Sequence, residues 1–268
     1  MDGKGTEMQQ AVLPVLEDLE DKTFDAFAMD RLASGDFDDP YPVLHELMAM
    51  GPVYKGSYRD LFSKIPDVQN GDRPQYTVLG YDACMAVLMD PATFSNHEAF
   101  VRSLGQSFGK TVSVMDGDIH GRYRRVLQKA FLPQVVRAWG ETVVEPIIER
   151  LIGAFASRGT ADLIEEFTHH FPFQVIYAQL ELDPEQAPVF HKLAVAQLLS
   201  TIGAPQGAEA SAKLGNFFAK LLEQRRENPG TDLVSHLATV EADGVRLPDE
   251  VVISFLRQLV NAGGDTTY

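Results

Sequence analysis

The chain has 268 residues, 45% hydrophobic and 23% charged, enough to bury a sizeable core and unlike a disordered composition. A formal net charge of −15 excludes a general nucleic-acid binder, since phosphate neutralisation needs a basic surface, and it disfavours an anionic membrane as partner. One cysteine, Cys84, allows no intrachain disulfide, and no apolar run reaches the roughly 18 residues of a membrane span, so a soluble cytoplasmic protein is expected.

Residues 1–10 read as a flexible tail, and residues 11–268 as part of one domain. Residues 11–34 suggest one or two short helices, and Pro40 to Met50 a short amphipathic helix ended by Gly51-Pro52. Val53-Tyr54-Lys55 and Tyr76 to Leu79 are brief β-type runs that can pair as a hairpin, with 56–75 as its long loop. Tyr81 to Met89 looks helical, and the spacing of Cys84, Val87 and Leu88 suggests one buried face and a structural thiol. Residues 96–113 are irregular, with room for one short helix.

Residues 116–131 carry a clean helical pattern. Tyr123, Val126, Leu127, Ala130 and Phe131 fall at i, i+3, i+4, i+7 and i+8. His120 and Arg124, four apart, share one edge of that apolar face, and Arg122, Arg125 and Lys129 point the other way. An Arg held at a buried edge without a partner costs several kcal/mol, so an anion is expected there, and an i, i+4 His/Arg pair is a natural grip for a carboxylate. The other reading is a surface Arg that snorkels past the apolar stripe.

A long helical pattern over 133–157 contains Trp139 and is interrupted at Pro146; Gly159 to Asp162 breaks it. Helices follow over 163–180, 184–200, 208–226 and 232–239, with a turn over 201–207 and another at Asp243-Gly244. The total is about ten helices with little sheet.

The last stretch opens with Pro248, suited to a first helical position, and with Asp249 and Glu250 where the helix dipole favours negative charge. Val251, Val252, Phe255, Leu256, Leu259, Val260 and Ala262 fill well over half the helical wheel, and Ser254, Arg257, Gln258 and Asn261 gather on the remainder. Gly263 then falls mid-way across the apolar face. Gly263-Gly264 is either a plain helix stop or a gap beside the Asp265 carboxylate and the Thr266 hydroxyl, shaped to receive something flat.

Other chemistry finds little support. Asp116, Asp118 and His120 lack a second His or Cys at metal-site spacing, and His169-His170 lacks an i+4 partner. No Gly-x-Ser-x-Gly elbow or phosphate loop is present.

Three motifs in order resemble one family. Asp90-Pro91-Ala92-Thr93-Phe94-Ser95, the run Asp116, His120, Arg124-Arg125, Ala130-Phe131, and Ala262-Gly263-Gly264-Asp265-Thr266-Thr267 are similar to soluble cytochrome P-450s, the haem-thiolate monooxygenases, over about residues 35–268. The resemblance implies a mostly α fold with a small β part and haem b (iron protoporphyrin IX) as cofactor. It implies hydroxylation of a small organic substrate with dioxygen and electrons from a ferredoxin-type donor. His120 and Arg124 would bind the haem propionates. Ala262 and Gly263 would leave space where oxygen and substrate meet, Thr266 would hydrogen-bond the oxygen, and Asp265 would relay protons. Arg122, Arg125 and Lys129 would face the redox partner, and the segments 96–113 and 195–210 would cover the substrate pocket. Where the family often has Asp-Pro-Pro-Glu-His, this chain has Asp116-Gly117-Asp118-Ile119-His120. The family's Glu-x-x-Arg unit and Cys-bearing loop are not found here, and Cys84 lies in the wrong element to be the iron ligand. The expectation is therefore an N-terminal fragment, truncated within the long central helix and inactive by itself, of an intact parent enzyme. The rival expectation is a non-enzymatic helical module that grips a small carboxylate through His120 and Arg124.

Overall fold

The computed structural model describes residues 13–34, 39–63, 65, 70, 73–242 and 244–264. In chain order the elements are α1 (Ala26–Ser34), α2 (Tyr41–Met50), β1 (Val53–Lys55), α3 (Tyr58–Phe62), β2 (Tyr76–Val78), α4 (Tyr81–Leu88), α5 (Asn96–Phe100), α6 (Leu104–Phe108) and α7 (Gly117–Lys129). There follow α8 (Pro133–Trp139), α9 (Glu145–Phe155), α10 (Phe171–Gln179), α11 (Ala187–Leu198), α12 (Pro205–Glu227), α13 (Leu233–Thr239), β3 (Glu241–Ala242), β4 (Val245–Arg246) and α14 (Asp249–Gly264). The protein is mostly α with a small β part, as expected. β1 and β2 pair antiparallel with Val53 opposite Val78, the hairpin read from the sequence, and α3 occupies its long loop. The second hairpin, β3 with β4, places Gly244 at a φ of 72°, where glycine is favoured.

The core lies where α11, α12 and α14 meet. Leu214, Phe217, Phe218, Leu221 and Leu222 recur at helical spacing on α12 and are all buried. Phe190 of α11 meets Phe217 and Phe218 edge-on at 5.9 and 5.8 Å. Val252, Leu256 and Val260 of α14 complete this core, each with no exposed surface. Gly207 fits α12 against the end of α11: a Cβ there would lie 2.6 Å from the Leu199 carbonyl carbon and 2.8 Å from the Ser200 Cα. The helix thus starts at Pro205, three residues before the expected boundary, and the turn shrinks to Gly203-Ala204. Asp232 caps α13, accepting from the Ser235 N–H, and its other oxygen takes the Arg225 Nε–H at 2.8 Å in a buried pair.

Several expectations need correction. Residues 133–155 run on through Pro146, because one wide π turn over Gly140–Val144 puts the proline in the first turn of α9, where its missing N–H does no harm. The 96–113 stretch holds two short helices, α5 and α6, and a 3-10 turn. α4 buries none of its residues: Leu88 is 75% exposed, and the Cys84 thiol is only half-buried, donating to the Val78 carbonyl at 3.6 Å. Pro248 stands just outside α14, and its carbonyl accepts from Val251 and Val252.

The glycine pair is neither a plain stop nor an empty slot. α14 continues through Gly264, and α10 lies across this end of it. A Cβ on Gly263 would come within 2.7 Å of the Ile176 Cδ1, and one on Gly264 would strike the Phe173 ring. The missing side chains let α10 pack close, so Ile176 and Phe173 of the same chain take the space expected for a flat guest.

Candidate functional site

The amphipathic pattern on 116–131 folds as α7, with Val126, Leu127 and Ala130 buried. Asp116 precedes it in an extended conformation and does not cap it. Its carboxylate instead accepts from the Ser95 hydroxyl at 2.5 Å, the Asn96 N–H at 2.9 Å and the His97 N–H at 3.1 Å, fastening α5 to the start of α7. The Ser95 hydroxyl first, then these backbone donors, holds the Asp116 carboxyl below its usual range.

His120 is half-buried, whereas Arg124 is exposed. The buried-edge argument for an anion beside Arg124 therefore fails, because water already solvates the guanidinium. What remains is an i, i+4 His/Arg pair on one side of α7 whose side chains make no hydrogen bond or ion pair among the described residues. Arg122, Arg125 and Lys129 are exposed, as expected. Lys129 also has a role within the fold, its ammonium donating to the Glu241 carbonyl at 2.7 Å and tying α7 to β3.

Phe131, just past α7, meets Phe255 of α14 edge-on at 6.1 Å and Trp139 at 5.7 Å. This contact sets the end of α7 against the middle of α14. On α14, Ala262 is exposed while Val260 and Asn261 beside it are buried, and Gly263 is half-buried. Asp265 and Thr266 lie outside the described residues. One turn before Ala262 and on its face, Gln258 donates to the Ser113 hydroxyl at 2.8 Å and accepts from the Thr111 hydroxyl, holding residues 111–115 on α14.

The residues that the sequence assigned to the polar remainder of α14 are thus not a solvent face. Ser254 and Asn261 are buried. Gln197 of α11 donates to the Arg257 carbonyl at 3.0 Å and to the Asn261 side-chain oxygen at 3.2 Å. Arg257 donates to the Ser107 carbonyl and the Ser211 hydroxyl. A polar stripe at i, i+3, i+4 and i+7 in an otherwise apolar core helix was the available signal for these cross-helix bonds.

As a test of fit to a haem, the pair His120/Arg124 offers a ring N–H and a guanidinium with no acceptor among the described residues, suited to two propionates, and Ala262 presents an exposed face without bulk. An axial thiolate is not supplied, because Cys84 is committed to the β1–β2 hairpin side through Val78. The chain's own residues fit the propionate end and the oxygen side of such a group.

Helices around a long central helix, a small hairpin near the start and a cationic helix beside the centre define the cytochrome P-450 fold. The solved cytochrome P-450 PksS of the Bacillus subtilis 168 bacillaene polyketide synthase has it too: TM-score 0.67 at 24% identity, over 84% of this chain and 55% of that one. By sequence, YjiB of Bacillus subtilis (strain 168), described as a cytochrome P-450, is 28% identical over 221 residues, 78% of this chain and 54% of its own length. The cytochrome P-450 monooxygenase PikC of Streptomyces venezuelae is 28% identical over 235 residues, 85% of this chain and 53% of its own length. No family model matches the chain. On the likeness in sequence and fold together, the chain belongs to the cytochrome P-450 family. It spans about half the length of the curated relatives it matches. No described helix is long and apolar enough to cross a membrane.

Proposed function

We propose that the chain forms the propionate-binding and oxygen-side part of a haem-dependent monooxygenase that hydroxylates a small organic substrate. The observation that supports this best is the unpartnered His120/Arg124 pair on a helix set against α14, whose last turn presents the exposed Ala262. When bound, the haem supplies the redox chemistry, in which one atom of dioxygen enters a C–H bond and the other leaves as water, with two electrons and two protons consumed. His120 and Arg124 would hold the propionates, the Arg124 guanidinium and the carboxylates making charge-assisted hydrogen bonds. Ala262 keeps the reacting space free of bulk. Gln258, by holding residues 111–115, fixes the wall one turn away. In this reading Thr266 gives a hydrogen bond to the oxygen and Asp265 passes protons inward. The outward cations Arg122 and Arg125 steer an acidic, ferredoxin-type donor on a body of net charge −15.

The reading requires a thiolate that Cys84 does not provide, so its test uses the protein as its full reading frame encodes it. The reduced, carbon-monoxide-treated protein should show the thiolate-type Soret shift; its absence, with no haem retained, would leave only the carboxylate-binding module. Thr266→Ala in that protein should uncouple electron consumption from product formation, and unchanged coupling would remove the role given to Thr266.

A further inference from the structure

Arg257 is the least expected cation in the molecule. It projects from the core helix α14 into a cleft of about 690 Å³ bounded by α6, the Gly203-Ala204 turn and α12. Burial pulls its guanidinium down to about 10, which still leaves it charged at neutral pH. A desolvated guanidinium normally faces a carboxylate. Arg257 faces none: among the described residues it has no ion pair, and its acceptors are the neutral Ser107 carbonyl and Ser211 hydroxyl, both met by Nη2. Nε is buried without a partner, while Nη1 makes no hydrogen bond among the described residues and is not sealed off. In a chain with 38 acidic residues, no acidic residue lines this cleft among those described.

The site is built rather than incidental. Gly109, at a φ of 86°, and Gly215 flank Nη1; a Cβ on either would lie 3.5 and 3.8 Å from it. Nearby the Ser107 and Ser200 hydroxyls bond at 2.6 Å, and the Ser211 hydroxyl donates to the Ser107 carbonyl at 2.9 Å. These bonds join α6, the end of α11 and α12 into one fixed floor. Gly203, Ala204, Pro205 and Ala208 make the rest of the wall small and largely apolar.

We propose that this cleft binds a small amphipathic organic acid, with its carboxylate on Nη1 of Arg257 and its apolar body along the α11–α12 turn. The cleft includes neither His120 nor Arg124. Much of its lining comes from 105–109 and 200–208, inside the two segments that the family resemblance sets over the substrate pocket. The inference therefore rests on the proposed function and names a class of molecule for that pocket's entrance.

The test is isothermal titration calorimetry on the full-length protein, with decanoate, decanol and inorganic phosphate as probes. Decanoate should bind about tenfold or more tightly than decanol, as expected for a charge-assisted bond in a desolvated site. Arg257→Gln should abolish that preference. Since Arg257 also holds Ser107 and Ser211, the exposed Asn216→Asp serves as a second variant. It puts a carboxylate at the mouth without touching the Arg257 bonds. It should weaken decanoate several-fold and leave decanol unchanged. Equal binding of decanoate and decanol, or decanoate binding indifferent to both variants, would overturn the proposal. Binding of phosphate in place of decanoate would overturn the carboxylate assignment. The carbon-monoxide spectrum is read separately, so the haem reading and this site can fail one at a time.

Discussion

A single methyl group has opposite effects at three glycines. Gly264→Ala drives a Cβ into the Phe173 ring, and Gly207→Ala drives one into the backbone of Leu199 and Ser200, which cannot swing aside. Urea unfolding should show Gly264→Ala less stable by about 1–3 kcal/mol, with Gly207→Ala at or beyond the top of that range. Gly153, inside α9 with nothing within 4 Å of its added Cβ, should gain about 0.5–1 kcal/mol as Ala from helix propensity alone. Equal effects at the three sites would refute the packing argument. The sequence marked Gly263 as a gap in an apolar face, and that much was legible. What fills it was not, because Ile176 belongs to another helix and no local pattern links the two. Arg124 taught the reverse lesson: its place at the edge of an apolar stripe suggested burial, but α7 turns that edge to water.

At the scale of elements, the strongest joints are polar and buried. Asp232 both caps α13 and holds Arg225 of α12, so Asp232→Ala leaves the buried guanidinium only the half-exposed Glu181 carboxylate at 3.6 Å and should cost about 3 kcal/mol, the low end for a broken buried pair. A second joint, where α1, α10 and α11 meet, is pH-sensitive. His191 packs on Phe173 with ring centroids 3.6 Å apart and on Phe27 at 4.8 Å, and His169 lies 5.5 Å away. Burial first, then the charges of His169 and His170, pulls its imidazole down to about 4. As pH falls the unfolded chain therefore takes up this proton first. The stabilisation is complete above the ordinary imidazole value of about 6.5 and is lost as pH falls from there to about 4. Thermal melts of the wild type should drop over that window more steeply than those of His191→Phe, and parallel curves would exclude His191 as a source. Helix periods and the β1–β2 hairpin were readable because each depends on neighbours in sequence. The burial of Ser254, Asn261 and Arg257 was not, since it depends on where α6, α11 and α12 come to rest.

For the whole molecule, the mostly α architecture followed from the count of periodic segments, and family membership from three short motifs in order. The chain contains the cationic helix and the central helix, while Cys84 is held at the hairpin side and offers no iron ligand. The account rests on α7 presenting His120 and Arg124 as a pair to the acid groups of a haem. The most direct measurement is haem content per polypeptide in the full-length protein for Arg124→Ala and for Arg122→Ala, two exposed arginines on the same helix. Arg124→Ala should lose haem several-fold more readily, and His120→Ala should add to the loss, while Arg122→Ala should retain it like the wild type. Equal retention in all three would contradict the account.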